Sequence, residues 1–377
     1  MPSPHPVLLL VRELDQGGCE RDLTKIALGL DRSRFEPHVG CLRPEGFRNR
    51  ELSDAGVPIV HFPVRSFASA GALRAGLQLR RYLKGYGIRL IHSYDVPMDV
   101  FGLAWGYFWR TPVLISSQLS YRELYSPFYQ RLLRITDRLA DCVVVNCEAM
   151  RRHLIDDEGV AAGKLFLSYN GVDTRVFFPG QPAKPEPLVI GTVAVLRPEK
   201  RLDLLVEAFA RVRDLSLGMR LAIVGSGSVL PALRQQATRL GIAADCVFQP
   251  ATADVASWLR GMDIFVLPSE SEAFSNALLE AMACGCCPVG SRVGGTPELI
   301  ADGERGLLFE SGNAADLAEK LARLIRDAGL RRKFGEAAAA CARDTFSIQR
   351  AVQRMEELYG RLLTRSSLES PRSPSNG

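Results

Sequence analysis

The stretch 263-DIFVLPSESEAFSNALLEAMACG-285 passes from one secondary-structure period to another within a single short run. Asp263–Leu267 is apolar, with aromatic and β-branched side chains, and reads as a buried strand. Pro268–Ser275 is polar and irregular, a loop. From about Asn276 to Cys284 the apolar residues recur at helical spacing. Ser275 or Asn276 suits the N-cap, and Gly285 stands in the C′ position where helices stop. Two glutamates, Glu272 and Glu280, lie eight residues apart, an interval that does not place them on one helix face. Glu272 therefore falls in the loop and Glu280 in the helix, about one turn from its start. A loop carboxylate and a helix carboxylate can accept hydrogen bonds from two separated hydroxyl groups of one ligand. Between them, the unpaired N–H groups around Phe274, Ser275 and Asn276 favour a phosphate. The plainer alternative is a solvated loop acid and a helix acid that complements the dipole.

Working outward, the same strand-to-helix habit repeats. In the second half "LVIGTVAVL" leads into "RLDLLVEAFARVRDL", and "RLAIVG" into "VLPALRQQATRLG". The first half shows it from "PVLLLV" onward. This alternation is the signature of βαβ units and parallel sheets. At 377 residues the chain is long for one core and implies two domains. The Pro/Gly-rich segment 170–187 reads as the linker. Expected boundaries are 1–171 for the first domain, with 348–365 returning to pack on it, 172–347 for the second, and a disordered polar tail at 366–377. Two such domains facing one another would bind a ligand at the carboxyl ends of their strands.

Composition supports a globular chain, because 47% hydrophobic and 24% charged residues exclude disordered and collagen-like classes. The first apolar run, Val7–Val11, is far shorter than the roughly 18 residues a membrane span needs. Nine scattered cysteines suit a reducing compartment, with the cytoplasm as the default. Cys284, Cys286 and Cys287 have no histidine nearby and read as packing thiols rather than a metal site. Between Arg65 and Arg138, eleven basic residues face four acidic ones, and "FGLAWGYFW" (101–109) lies among them. Two readings stand: a buried helix beside a solvated basic one, or a surface resting on anionic lipid. Nucleic acid is not expected, since no recognition motif accompanies the charge.

Three pieces point to phosphate. Arg197 and Lys200, in "LRPEKRLDLL", follow the first strand of the second half and either suit a diphosphate, one as a fork and one as a point charge, or are surface charges before a helix. Gly17 and Gly18 follow the first strand of the chain, where backbone can approach an anion, although the pair taken alone reads as a loop and nothing more. Gly225, in "IVGSGSVLPAL", opens a strand-to-helix turn that lacks the third glycine of a dinucleotide motif. That turn is either close to a nucleotide or purely structural.

The ordered set Glu272, Glu280, "EAMACG" and "GGTPEL" (294–299) resembles the retaining GT-B glycosyltransferases of family 4. The likeness extends through "GGCE" at Gly17, "LIHSY" at Leu90, "NGVD" at Asn170, "RPEK" at Arg197 and "ADGERGLLF" at Ala301, most of the chain. It implies an α/β chain of GT-B fold, two Rossmann-like domains facing across a cleft. The second would hold a nucleotide-diphosphate sugar, UDP-linked, and the first a glycan or lipid-linked acceptor. By the resemblance, Glu280 binds the donor ribose and Glu272 the sugar hydroxyls. Lys200 and Arg197 stabilise the departing diphosphate, the Gly17–Gly18 loop closes over it, and His92 belongs to the catalytic set. No cofactor and no metal are implied. Surface polysaccharide synthesis is the expected setting, with peripheral contact to an anionic membrane. The competing readings are a silent sugar-nucleotide sensor or membrane scaffold, and a GT-B epimerase or phosphorylase. The sequence departs from the family pattern at Val195, Ala273, Tyr94 and Gln118, which concern contacts to sugar and acceptor.

Overall fold

The computed structural model describes residues 3–15, 17–64, 66–67, 69–180 and 187–368. It divides into one unit up to Gly171 that resumes at Ile348, and a second spanning Val172–Ser347. Arg65, counted above in the basic stretch, lies outside the described residues.

The first unit runs β1 (His5–Glu13), α1 (Gly18–Gly29), β2 (Phe35–Arg43), α2 (Phe47–Asp54), β3 (Ile59–His61), α3 (Ala70–Gly85) and β4 (Leu90–Ser93). After α4 (Val96–Met98) and a π-helical turn, Asp99–Leu103, come α5 (Ala104–Phe108), β5 (Val113–Gln118), α6 (Pro127–Leu139), β6 (Cys142–Val145), α7 (Glu148–Asp156) and β7 (Leu165–Leu167). All neighbours pair in parallel, in the order β3-β2-β1-β4-β5-β6-β7. Val7–Val11 is apolar without alternation because β1 is covered on both faces, and all five side chains are fully buried. Each contributes about 1.5–3 kcal/mol by leaving water.

The second unit runs β8 (Val189–Val193), α8 (Leu202–Val212), β9 (Arg220–Val224), α9 (Leu230–Arg239), β10 (Cys246–Gln249), α10 (Val255–Arg260) and β11 (Ile264–Leu267). It continues through α11 (Asn276–Ala283), β12 (Cys287–Ser291), α12 (Thr296–Ile300), β13 (Leu307–Phe309), α13 (Ala314–Arg326) and α14 (Ala328–Asp344). Its parallel sheet has the order β10-β9-β8-β11-β12-β13. Ile190, Phe209, Val266 and Leu321 are among the side chains that fill one face.

The last helix, α15 (Ile348–Leu368), belongs to the first unit. It packs against α1 and places Val352, Leu358, Tyr359 and Leu363 in that unit's core. The polar tail expected from residue 366 is corrected at its start, since Ser366 and Ser367 are helical and donate to Leu363 O. Residues 369–377 lie outside the described residues.

Candidate active site

In the second sheet, β8 and β11 are neighbours, yet the chain leaves β8 towards β9 and leaves β11 towards β12. Their two following loops part at the carboxyl edge and open a crevice, the place where sheets of this topology take ligands. After β8, Arg197 caps a 3₁₀ turn, Pro198–Lys200, and Arg201 adopts a left-handed conformation (φ 46°) that turns the chain into α8. For a side-chain-bearing residue that geometry costs about 1–3 kcal/mol. The Arg201 guanidinium is forked over Asp203, with both contacts at 3.2 Å, and this holds the bend. After β11, the loop brings Glu272 back to the same place. Lys200 Nζ donates to Glu272 Oε2 at 2.6 Å, and Ser269 Oγ donates to the same oxygen at 3.3 Å. Glu270 N–H donates to Glu199 O at 2.9 Å, so backbone as well as charge joins the loops. Arg197 is exposed, and its side chain has no protein partner among the described residues.

The helix that follows begins and ends as its residues dictate. Ser275 Oγ accepts the Leu278 N–H, and Gly285 takes φ 84° after the last turn. Phe274 is buried against Phe346, with ring centroids 5.6 Å apart, so it sets the loop rather than presenting its ring to solvent. Asn276 is the first helical residue, and Glu280 is buried within the helix. Ala273, where the family pattern has glycine, is buried, and its carbonyl accepts Gly295 N–H at 2.8 Å. The "GGTPEL" turn is thereby fastened to the Glu272 loop. Cys284, Cys286 and Cys287 pack inside, where burial pushes each thiol up; Cys286 donates to Leu259 O.

Gly225 has a packing role that its motif does not show. A Cβ there would come within 1.9 Å of Ala194 O, and one on Gly227 within 2.2 Å of Leu196 O. Gly225 N–H is already donated to Gln249 O, and Leu196 N–H to Ser226 O. These glycines let the loops after β8 and β9 touch through backbone, which accounts for the structural one of the two readings left open by the sequence.

His92 is a correction. It lies in β4 with no solvent exposure, Nδ1 bonded to Tyr359 Oη at 2.7 Å and Nε2 to Ser117 Oγ at 2.8 Å. Burial lowers its pKa to about 3, so it stays neutral. Both ring nitrogens are spent on joining β4 and β5 to α15, which leaves none for a substrate.

In the first sheet the corresponding parting lies between β1 and β4. Gly17 precedes α1 and Gly18 begins it. A Cβ on Gly17 would come within 1.8 Å of Glu20 Oε2, so the glycine makes room for a carboxylate at the helix start. Asp95, one residue past Tyr94 at the end of β4, accepts Arg12 N–H at 2.6 Å and Met98 N–H at 3.0 Å. Burial pushes Glu20 up to about 7, with Asp95 and Glu13 adding to it, and pushes Asp95 up to about 6. Sequence reading passed over both acids. "GGCE" and "HSYD" display them, but only the β1–β4 pairing makes them neighbours.

A carboxyl whose folded pKa exceeds its unfolded value stabilises the fold fully below the unfolded value, about 4.5, and loses that contribution as pH rises through about 7. Glu20→Gln is therefore expected to raise the melting temperature relative to the parent at pH 8 and to leave it unchanged near pH 4.5. Equal effects at both pH values would place the Glu20 charge in solvent.

Comparison with known proteins accounts for both units. The profile "Glycosyltransferase Family 4" matches residues 16–176, and "Glycosyl transferases group 1" matches residues 173–340. The N-acetyl-alpha-D-glucosaminyl L-malate synthase of Bacillus anthracis is 32% identical over 200 residues, covering 51% of this chain and 52% of that protein. The D-inositol 3-phosphate glycosyltransferase of Stackebrandtia nassauensis is 32% identical over 257 residues, covering 63% and 58%. The chain thus spans a little over half the length of these curated relatives. Among solved structures, HepE of Anabaena in complex with UDP and glucose superposes with a TM-score of 0.83 at 24% identity, over 95% of this chain and 100% of that one. With one profile on each unit and that likeness of fold, the chain belongs to the family 4, group 1 glycosyltransferases and has the GT-B fold.

Proposed function

We propose that this chain transfers a hexose or N-acetylhexosamine from a nucleotide-diphosphate sugar, UDP-linked, to a glycan or lipid-linked acceptor in surface polysaccharide synthesis, with retention of the anomeric configuration. The Lys200–Glu272 pair at the parting of β8 and β11 carries the reading. It sets a cation and a carboxylate side by side where a sugar diphosphate presents an anion and hydroxyls. Relatives named for transfer of a sugar to malate or inositol phosphate, and a neighbour crystallised with UDP and glucose, support the donor class.

On this reading the second unit binds the donor. Lys200 Nζ shifts part of its hydrogen bonding from Glu272 to the diphosphate, joined by the exposed guanidinium of Arg197. Both cations stabilise the charge that grows as the glycosidic C–O bond breaks. Glu272 then accepts from the sugar hydroxyls, and Glu280 from the ribose. The acceptor hydroxyl attacks from the face the diphosphate leaves, and a phosphate oxygen takes its proton. The cations and the α11 N–H groups do the charge work, so no metal or cofactor is required.

The test is release of nucleoside diphosphate from a panel of UDP- and GDP-sugars with soluble glycan and polyprenyl-phosphate-linked acceptors. Acceptor-dependent release from a UDP-sugar is expected. Donor binding without release for every acceptor would replace the enzyme with a sugar-nucleotide sensor.

A further inference from the structure

The first unit carries an apolar and basic surface that the proposed transfer does not use. β3→α3→β4, β4→α5→β5 and β5→α6→β6 all advance in one direction across the sheet, whereas β1→β2→β3 runs in the other. Right-handed crossovers therefore put α3, α5 and α6 together on one face and α1 and α2 on the opposite face. The three helices are in contact. Trp105 packs where Gly76 of α3 has no side chain, Trp109 Nε1 donates to Gly76 O at 3.1 Å, and α5 packs on α6.

Their outer side is unlike the rest of an ordinary surface. Leu73 and Leu77, one turn apart on α3, are exposed. Tyr107 and Phe108 end α5 in solvent, the latter 64% exposed. On α6, Phe128 (66% exposed) and Ile135 (53%) stand two turns apart on one side of the helix. Exposed apolar residues grouped on adjoining elements mark an interaction site, where single ones would not.

Charge says which partner. The exposed charged residues of these helices are Arg74, Arg80, Arg81 and Lys84 on α3, and Arg131, Arg134 and Arg138 on α6. None of the three helices exposes a carboxylate, because Asp137, their one acid, is buried against Arg122. Arg134 is shared with Glu158 and Arg80 stacks on Trp109; the other five have no carboxylate partner among the described residues. Aromatic and aliphatic side chains exposed on the same three helices as these cations match an anionic bilayer, whose headgroups attract the arginines while the rings enter the interface. No described helix is long and apolar enough to cross a membrane, so this contact is made from one side.

We infer that the α3–α5–α6 face docks the protein on an anionic lipid surface. This deepens the proposed transfer to a lipid-linked acceptor, but its evidence is independent of that reading. The test uses neither donor nor acceptor: flotation of the full chain with phosphatidylglycerol-containing vesicles and with pure phosphatidylcholine vesicles, at low and high salt. Binding to the anionic vesicles, weakened as salt shortens the screening length, is expected. The triple variant Arg74→Gln/Arg131→Gln/Arg138→Gln is expected to lower partitioning by about 100-fold, each basic residue near such a surface being worth roughly a factor of five. Phe108→Ser/Phe128→Ser/Ile135→Ser should also abolish flotation. Arg239→Gln/Arg323→Gln/Arg326→Gln, which removes equal charge from the second unit, should not. All three variants alter exposed side chains and should melt as the parent does. No binding by the parent protein, or equal binding by both patch variants, overturns the inference. So does a lipid-free dimer that either patch variant breaks, which would assign the face to a second copy of the chain.

Discussion

Lys200→Ala is expected to lower turnover by about 10²–10³-fold, the usual loss when one preorganised donor to developing charge is removed. Glu272→Gln should fall in the same range, because the amide keeps the shape but no longer anchors the ammonium group or accepts fully from a sugar hydroxyl. The two residues share one hydrogen bond of 2.6 Å, so their losses should not multiply: the double variant should be only slightly slower than the worse single one. Stability separates this role from a structural one. Both side chains keep partial contact with solvent, and such a pair contributes no more than about 1 kcal/mol to folding. Steady-state rates measured beside thermal melts should therefore show a large kinetic loss with nearly parental melting temperatures. Parental rates in both variants would remove the pair from the site.

The largest effect on stability is expected at Arg122. Its side chain is buried in the turn before α6, where Nη2 donates to Asp137 and Nη1 to Glu158 Oε2 at 3.2 Å. Burial pushes the Asp137 carboxyl up, and the neighbouring guanidinium pulls it back. Arg122→Ala removes the compensating charge and leaves the carboxylate in an apolar setting, a change that costs about 3–5 kcal/mol. Arg122→Met should lose less, since it keeps volume, and adding Asp137→Asn to either variant should recover part of the loss by removing the orphaned charge. Urea midpoints of the four variants measure this. A loss below about 1 kcal/mol in Arg122→Ala would mean that Asp137 is solvated or already neutral.

Much of the local structure follows from residues that are close in sequence. Asp263–Gly285 shows its strand, its Ser275 cap and its Gly285 stop, because each depends on neighbours within four positions. Glu272 and Glu280 could likewise be assigned to loop and helix from their spacing. The Lys200–Glu272 contact spans 72 residues and exists only because β8 lies beside β11, an order that no local period encodes. The same limit explains His92 and Gly225. Each fits a ligand motif in one dimension; that His92 points into the layer under α15, and that Gly225 is needed where two backbones touch, shows only in three. The excess of cations in 65–138 was visible as a count. That exposed Phe108 and Phe128 share a face with them, whereas Phe101 is buried, required the handedness of the crossovers.

The helix α15 also imposes an order of assembly. The sheet of the first unit is synthesised first, but the helix that covers part of it and supplies Tyr359 to His92 comes last, after the whole 172–347 insertion. At roughly 5–20 residues per second that insertion takes about 10–35 s to emerge from a ribosome. During this interval the second unit can complete itself, while the first holds an apolar strip open and a buried imidazole without its phenol. The nascent chain is then most exposed to chaperones and to aggregation in the unit it began to build first, and translation speed across 172–347 sets how long that exposure lasts.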